Sequence, residues 1–230
     1  MIIKGIQKLT LLDFPGRVAC TIFTAGCNFR CPFCHNASLV LGADTPTGTI
    51  PTEELFAFLE ARRGRLTGLC ISGGEPTLQP GLADFIRRVR EMGFAVKLDT
   101  NGLRPDVLDS LLSEGLLDYV AMDIKNSLDR YPETVGVPGL DTSSIVRSIA
   151  MIRQSGVPHE FRTTLVGGLH TVESVSAIPE LIGCDGSYFL QHFADSGDLI
   201  SPDSGGLSPD EFEKIFSEVR KKIPTVTSRG

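Results

Sequence analysis

The feature that most limits the fold is a recurrence of form: six short apolar runs, each followed by a helical pattern. The runs are residues 18–24, 68–72, 95–99, 117–124, 159–165 and 187–193. They are too short for helices and read as buried strands. The periodic stretches lie at 52–63, 80–92, 105–113, 143–154, 172–182 and 208–222. Thr52 is a candidate N-cap, Gly93 and Gly156 stop two helices, and Ser208-Pro209 opens the last. Strands alternating with helices demand a parallel sheet covered by helices. A closed eight-unit barrel typically needs about 250 residues, and this chain of 230 is two units short. The expected fold is α/β: a partial, open (β/α)6 TIM-like barrel of parallel strands with helices outside. A flat doubly wound sheet shares the periodicity, and the placing of the polar residues argues for curvature. Residues 1–17 read as an N-terminal extended arm ending in the turn Asp13-Phe14-Pro15-Gly16. Residues 18–223 hold the six units, and 1–230 reads as a single domain.

Chemistry-bearing residues gather where the strands end, which is where function sits in parallel α/β folds. Cys27, Cys31 and Cys34 follow the first strand, and Gly73-Gly74-Glu75-Pro76 the second. Asp99-Thr100-Asn101 follows the third, and Asp123 and Lys125 end the fourth. Arg162 and Gly167-Gly168 belong to the fifth, and Gln191-His192-Phe193 closes the sixth.

The cysteines stand as C-x3-C-x2-C, with Phe33 before the third thiol and His35 after it. Thiolates suit iron–sulfur clusters or zinc. A [4Fe–4S] cluster normally takes four thiolates, so a group of three suits a cluster with one iron left for another ligand. Zinc is the alternative, but it needs a fourth ligand; His35 adjoins Cys34 and reaches the same ion awkwardly. Cys20 and Cys70 lie in apolar strands and read as small hydrophobes. Cys184 sits in a Gly-Cys-Asp-Gly turn with no visible partner.

A net charge of −6 disfavours general nucleic-acid binding. No signal core opens the chain and no apolar run approaches a membrane span. The expectation is a cytoplasmic protein without nucleic-acid or membrane partners. Thiols there stay mostly reduced, so clustered cysteines mean metal or redox chemistry more often than disulfides.

With Gly73-Gly74-Glu75-Pro76 beside it, the cysteine loop resembles that of the radical SAM superfamily, and the resemblance runs over nearly the whole chain. It implies that Cys27, Cys31 and Cys34 hold a [4Fe–4S] cluster whose open iron takes S-adenosylmethionine (SAM), with Phe33 and His35 in the same cofactor site. Gly73, Gly74 and Glu75 then match the stretch that binds the SAM amino group. Asp99, Thr100 and Asp123 resemble positions that hold a monovalent cation beside the SAM carboxylate in glycyl-radical-enzyme activases. Lys125 is implied to touch SAM or a partner peptide. Arg162 resembles a SAM-contacting Arg, with an internal salt bridge as the alternative. His192 is expected beside the adenosine, with a core role as the alternative.

Within the superfamily, His35-Asn36 after the cysteines, the entry Leu12-Asp13-Phe14-Pro15-Gly16-Arg17, and the cysteine-free stretch 37–52 narrow the likeness. Together they most resemble activases that serve anaerobic ribonucleoside-triphosphate reductase, with the pyruvate formate-lyase type next. The implied chemistry is reductive cleavage of SAM to a 5′-deoxyadenosyl radical, which makes a glycyl radical on the partner. A flavodoxin or ferredoxin is implied as electron donor. Arg17 and Lys125 are candidates for docking the partner near the barrel mouth. A radical SAM enzyme acting on a small molecule, and a zinc or electron-transfer module, are the other readings.

Overall fold

The computed structural model describes residues 1–42, 48–184 and 186–230. The strands are β1 (Ile3–Thr10), β2 (Ala19–Thr24), β3 (Gly68–Gly73), β4 (Ala95–Thr100), β5 (Tyr119–Asp123), β6 (His159–Leu165), β7 (Ser187–His192) and β8 (Thr227–Arg229). The helices are α1 (Ala37–Leu41), α2 (Thr52–Ala61), α3 (Leu82–Glu91), α4 (Pro105–Ser113), α5 (Tyr131–Thr134), α6 (Ser143–Gln154), α7 (Val172–Ser176), α8 (Ile178–Ile182) and α9 (Pro209–Lys222). Every strand is bonded to the next in sequence, so one sheet runs from β1 to β8 with those two strands as its edges. From β2 onward all pairings are parallel. The open, parallel α/β sheet expected from the sequence is the observed one.

Both ends of the sheet add a strand beyond the six expected. The extended arm is β1, which pairs antiparallel with β2 from Ile3↔Thr24 to Thr10↔Ala19. Its buried Ile3 shares the strand with exposed Gln7, Lys8 and Leu9, so no clean alternation marks it. The turn after β1 folds under the barrel. Phe14 is buried there against Tyr119, and Asp13 accepts a hydrogen bond from Thr21 Oγ1. Only a glycine fits at position 68, because a Cβ there would press on the Phe14 ring. Arg17 lies on this same turn, at the end of β2 away from the cysteines, so its candidacy near the mouth fails.

The helices follow their caps. Ser208 and Glu211 form a capping box on α9 with Pro209 in its first turn, and α4 and α6 hold their expected bounds. Thr52 is not an N-cap: Pro51 takes that position and no side chain caps α2. The stretch 172–182 splits into α7 and α8 at Ala177, where Pro179 lacks the N–H that a continuous helix needs. The turn around Cys184 includes residue 185, and the stretch 37–52 includes residues 43–47, all outside the described residues. No helix among the described residues is long and apolar enough to cross a membrane.

The sheet has two unlike faces. Toward the helices point Cys20, Ile22, Leu69, Ile71, Val96, Leu98, Val120, Met122, Phe161 and Leu190, all buried. On the other face the alternate positions carry Cys70, Lys97, Asp99, Asp123, Glu160 and Arg162. Strand periodicity of two sorts the chain between an apolar shell and an ionic interior.

Candidate functional site

Above the C-terminal ends of β2 to β7 the interior opens into a cavity of about 310 Å³. The candidate cluster and cofactor residues line it, while Pro76, Gly167, Gly168 and Phe193 do not. Cys27, Cys31, Cys34, Phe33 and His35 come from the loop after β2, and Gly73, Gly74 and Glu75 from the end of β3. Asp99, Thr100, Asp123, Lys125, Arg162 and His192 come from β4 to β7 and the residues after them.

The cysteine loop is pinned on several sides. Arg30 Nη1 donates to the carbonyls of Cys27 and Phe29 at 2.6 and 2.8 Å, and the Arg30 N–H donates to the Val135 carbonyl at 2.8 Å. The Ser201 N–H donates to the Pro32 carbonyl at 2.8 Å. Phe33 packs edge-on to His170, and His35 against Phe193.

The glycines of the β3 loop let it nest on the root of the cysteine loop. A Cβ on Gly73 would collide with the Thr24 backbone, and one on Gly74 with the Gly26 carbonyl. Gly73 has φ +121°, a value side chains avoid. In the nested position the N–H groups of Gly74 and Glu75 donate to the Thr24 and Gly26 carbonyls at 2.9 and 2.8 Å. Glu75 is buried, and its carboxylate is fully used. Oε1 accepts from the Thr77 N–H at 3.1 Å and from the hydroxyls of Thr77 and Thr100 at 2.6 and 2.8 Å; Oε2 accepts from the Asn101 N–H at 2.7 Å. Burial raises its pKa, and these donors oppose the rise.

Below the loops runs a chain of charges. Arg162 Nε donates to Asp123 Oδ1 at 2.9 Å and Nη1 to Asp99 Oδ2 at 3.4 Å. Lys97 Nζ bonds Asp99 Oδ1 at 2.6 Å, and Lys125 Nζ bonds Asp123 Oδ2 at 3.0 Å. Glu160 takes both Arg229 terminal nitrogens at 3.1 Å. Burial opposes ionisation of Asp99 and Asp123, but Arg162 foremost, then Lys97 and Lys125, outweighs it and holds both below the usual carboxylate range. Burial likewise opposes the charge on Lys125 and Arg162, and the surrounding groups, Asp123 first among them and with Asp99 and Glu160 beside Arg162, together outweigh it.

The Thr100 hydroxyl donates to Glu75 and accepts from the Gly102 N–H. Asp99 and Asp123 face three cationic side chains. His192 reaches the cavity rim, but its ring stacks on Phe212 of α9 with centroids 3.6 Å apart. It falls on the helix-facing side of β7, while Gln191 faces inward to Thr164.

A family model described as "Radical SAM superfamily" matches residues 21–182, which span the cysteine loop and every strand end through β6. The chain belongs to the radical SAM superfamily. It is similar to "Putative glycyl-radical enzyme activating enzyme MJ1227" of Methanocaldococcus jannaschii, 35% identical over 197 residues, 84% of this chain and 80% of the relative. It is also similar to "Probable GTP 3',8-cyclase" of Pyrococcus abyssi, 27% identical over 229 residues, 92% of this chain and 71% of the relative. The crystal structure of a radical SAM methyltransferase from Sphaerobacter thermophilus shares the fold, with a TM-score of 0.67 at 20% identity over 94% of this chain and 67% of that one.

A [4Fe–4S] cluster and SAM follow from radical SAM membership, and the residues present fit both. The donors are three thiols around one cavity. Three soft thiol donors suit a [4Fe–4S] cluster with one iron left for another ligand. Burial pushes the thiols of Cys27 and Cys31 up to about 11 and about 12. Metal binding must therefore displace protons from them. On the SAM side, His35 Nε2 is buried with no hydrogen-bond partner in the same cavity.

Sequence reasoning missed Lys97 and His170 as supports of this radical SAM site, and named Asn101 only as part of a strand-end segment. Asn101 joins the Glu75 loop to the cysteine loop. Lys97 sits beneath Asp99 at 1% exposure. His170 Nε2 donates to the Lys125 carbonyl at 2.7 Å while Nδ1 accepts from the Val166 N–H at 3.0 Å.

Proposed function

We propose that this radical SAM enzyme generates a glycyl radical on a partner enzyme, anaerobic ribonucleoside-triphosphate reductase, in the cytoplasm. The observation that carries the reading is the single cavity in which three thiols meet the polar ends of the strands. The 35% identity to the M. jannaschii protein, higher than that to the cyclase, supports activation over small-molecule chemistry. The choice of reductase rests on His35-Asn36, the entry segment before β2 and the cysteine-free stretch 37–52.

Cys27, Cys31 and Cys34 are the proposed cluster ligands. A [4Fe–4S] cluster held there would supply the single electron, drawn from a flavodoxin or ferredoxin, for reductive cleavage of SAM to methionine and a 5′-deoxyadenosyl radical able to take a hydrogen atom from the partner's glycine. The carbonyls of Gly73 and Gly74 receive the SAM ammonium group, and Glu75 holds their loop rigid. The cationic heads of Arg162 and Lys125 orient the SAM carboxylate and ribose. Phe33 and His35 enclose the adenosine and exclude water. The gap between β1 and β8 gives the glycine-bearing segment a way in.

Anoxically reconstituted protein, a reductant, SAM and the candidate reductase are mixed and read by EPR. The expected result is a glycyl doublet that disappears in Cys31→Ala, with iron content falling from about four per chain. The likeness to the cyclase over 92% of this chain supports a second reading, chemistry on a small molecule. SAM cleavage that yields no doublet with glycyl radical enzymes but turns over a metabolite decides for it.

A further inference from the structure

We propose that Asn101 is a positioning residue that donates a hydrogen bond to Cys27 Sγ and thereby raises the reduction potential of the cluster; this rests on the cluster reading above. Asn101 is buried just past the end of β4, and its backbone N–H is held by Glu75 Oε2 at 2.7 Å. Its side-chain Oδ1 accepts from the Leu103 N–H at 3.0 Å. That bond fixes which end of the amide is oxygen and which is nitrogen. Nδ2 then turns back toward the cysteine loop with two hydrogens to place. One goes to Asn28 Oδ1 at 2.7 Å, and the other meets Cys27 Sγ at 3.7 Å. The Phe29 N–H reaches the same sulfur at 3.4 Å.

The direction follows from charge. Reduction adds one negative charge to the cluster and its thiolates. A donor aimed at a thiolate stabilises the more negative state further, so it raises the potential. The donor here is held from both sides before the cluster arrives. Its backbone is tied to the loop proposed for the SAM ammonium group and its side chain to the cluster loop. Neighbours of this kind around metal ligands commonly tune the metal.

The test uses the full chain with reconstituted cluster, free of SAM, in an EPR-monitored redox titration. Asn101→Leu removes the donor. Asn101→Asp keeps the acceptor for Leu103 and sets an oxygen against the sulfur. Both are expected to lower the midpoint. For the Leu variant the reduced-to-oxidised ratio at fixed potential falls about tenfold, or about 59 mV for a one-electron couple, and for the Asp variant at least as far. Phe29 still donates in both, so the loss is partial. A midpoint unchanged or raised in the Leu variant overturns the inference. If neither variant holds a cluster, wild-type protein labelled with 15N at the Asn side-chain amide decides. A hyperfine coupling of that nitrogen to the reduced cluster supports the bond, and its absence overturns it. Failure of the cluster reading looks different: wild-type protein then lacks the [4Fe–4S] signal, or its spectrum ignores added SAM.

Discussion

Leu98 and Asp99 are consecutive residues of β4 that live in different media. Leu98 is fully buried among helix-facing side chains, while Asp99 lies in the ionic interior between Lys97 and Arg162. The helix-facing side chains each contribute about 1.5–3 kcal/mol by leaving water. Buried ion pairs return little net stability, because desolvation offsets their attraction. The shell therefore holds the barrel together, and the interior holds charges in set places at small net gain. A site for a zwitterionic co-substrate needs such an interior, since each charge of the ligand must find a fixed opposite.

The sharpest way to break that contrast is Asp99→Leu. Lys97, 1% exposed, then loses its only acidic partner among the described contacts. Breaking a buried pair costs about 3–5 kcal/mol, readable as a lowered urea midpoint. Adding Lys97→Met to the same chain should recover most of that loss, while the spectral response to SAM, weakened once Arg162 loses Asp99, is not restored. A double variant as unstable as the single would show that the charges carry stability after all.

Next in size is Leu98→Ala. A buried Leu→Ala change costs about 2–5 kcal/mol from lost burial and the cavity left behind. Because Leu98 faces the helices, the folded variant should keep its cluster and its response to SAM. An altered SAM spectrum with intact cluster would mean that the two faces are coupled through β4.

Glu75→Gln is smaller. The amide keeps an oxygen for Thr77 and Thr100 but turns its NH2 toward the Asn101 N–H. One unsatisfied buried group costs about 1–3 kcal/mol. The variant should unfold earlier, and SAM should bind more weakly because the Gly73-Gly74 loop loosens. Unchanged stability would mean that the loop does not depend on the carboxylate.

The shell was the legible part. Strings such as Leu69-Cys70-Ile71 announce buried strands on their own, and β6 and α6 hold their expected bounds. β1 was read only as an extended arm, because Gln7, Lys8 and Leu9 are exposed along it, and β8 was hidden because Thr227-Ser228-Arg229 carries no apolar signal. The candidate site was legible by position, since its residues follow strands that had to be parallel. Its wiring was not. Glu160 and Arg229 lie 69 residues apart, and Asn101 and Cys27 lie 74 apart, so no local pattern announces either pair. Lys97 and Asp99 are two apart on one strand face, and that period was available to be read.

The smallest expected effect tests the seam between shell and interior, where His170 ties the residue after Ile124 to the loop after β6. Its Nδ1 accepts from the Val166 N–H and its Nε2 donates to the Lys125 carbonyl, so the neutral ring satisfies both. Protonation would set a second N–H against that of Val166. Burial, with Lys125 and Arg130 adding to it, lowers the pKa below 6.5, against the two backbone bonds. The unfolded chain therefore binds the proton more readily. The stability linked to this ring is full above about pH 6.5 and is lost as pH falls through the lower folded value. The slope is at most about 1.4 kcal/mol per pH unit. His170→Gln should flatten stability against pH below about 6.5 relative to wild type, while His35, also shifted down by burial, contributes equally to both. Parallel curves would mean that the ring is as easily protonated folded as unfolded, and that the seam is open to water.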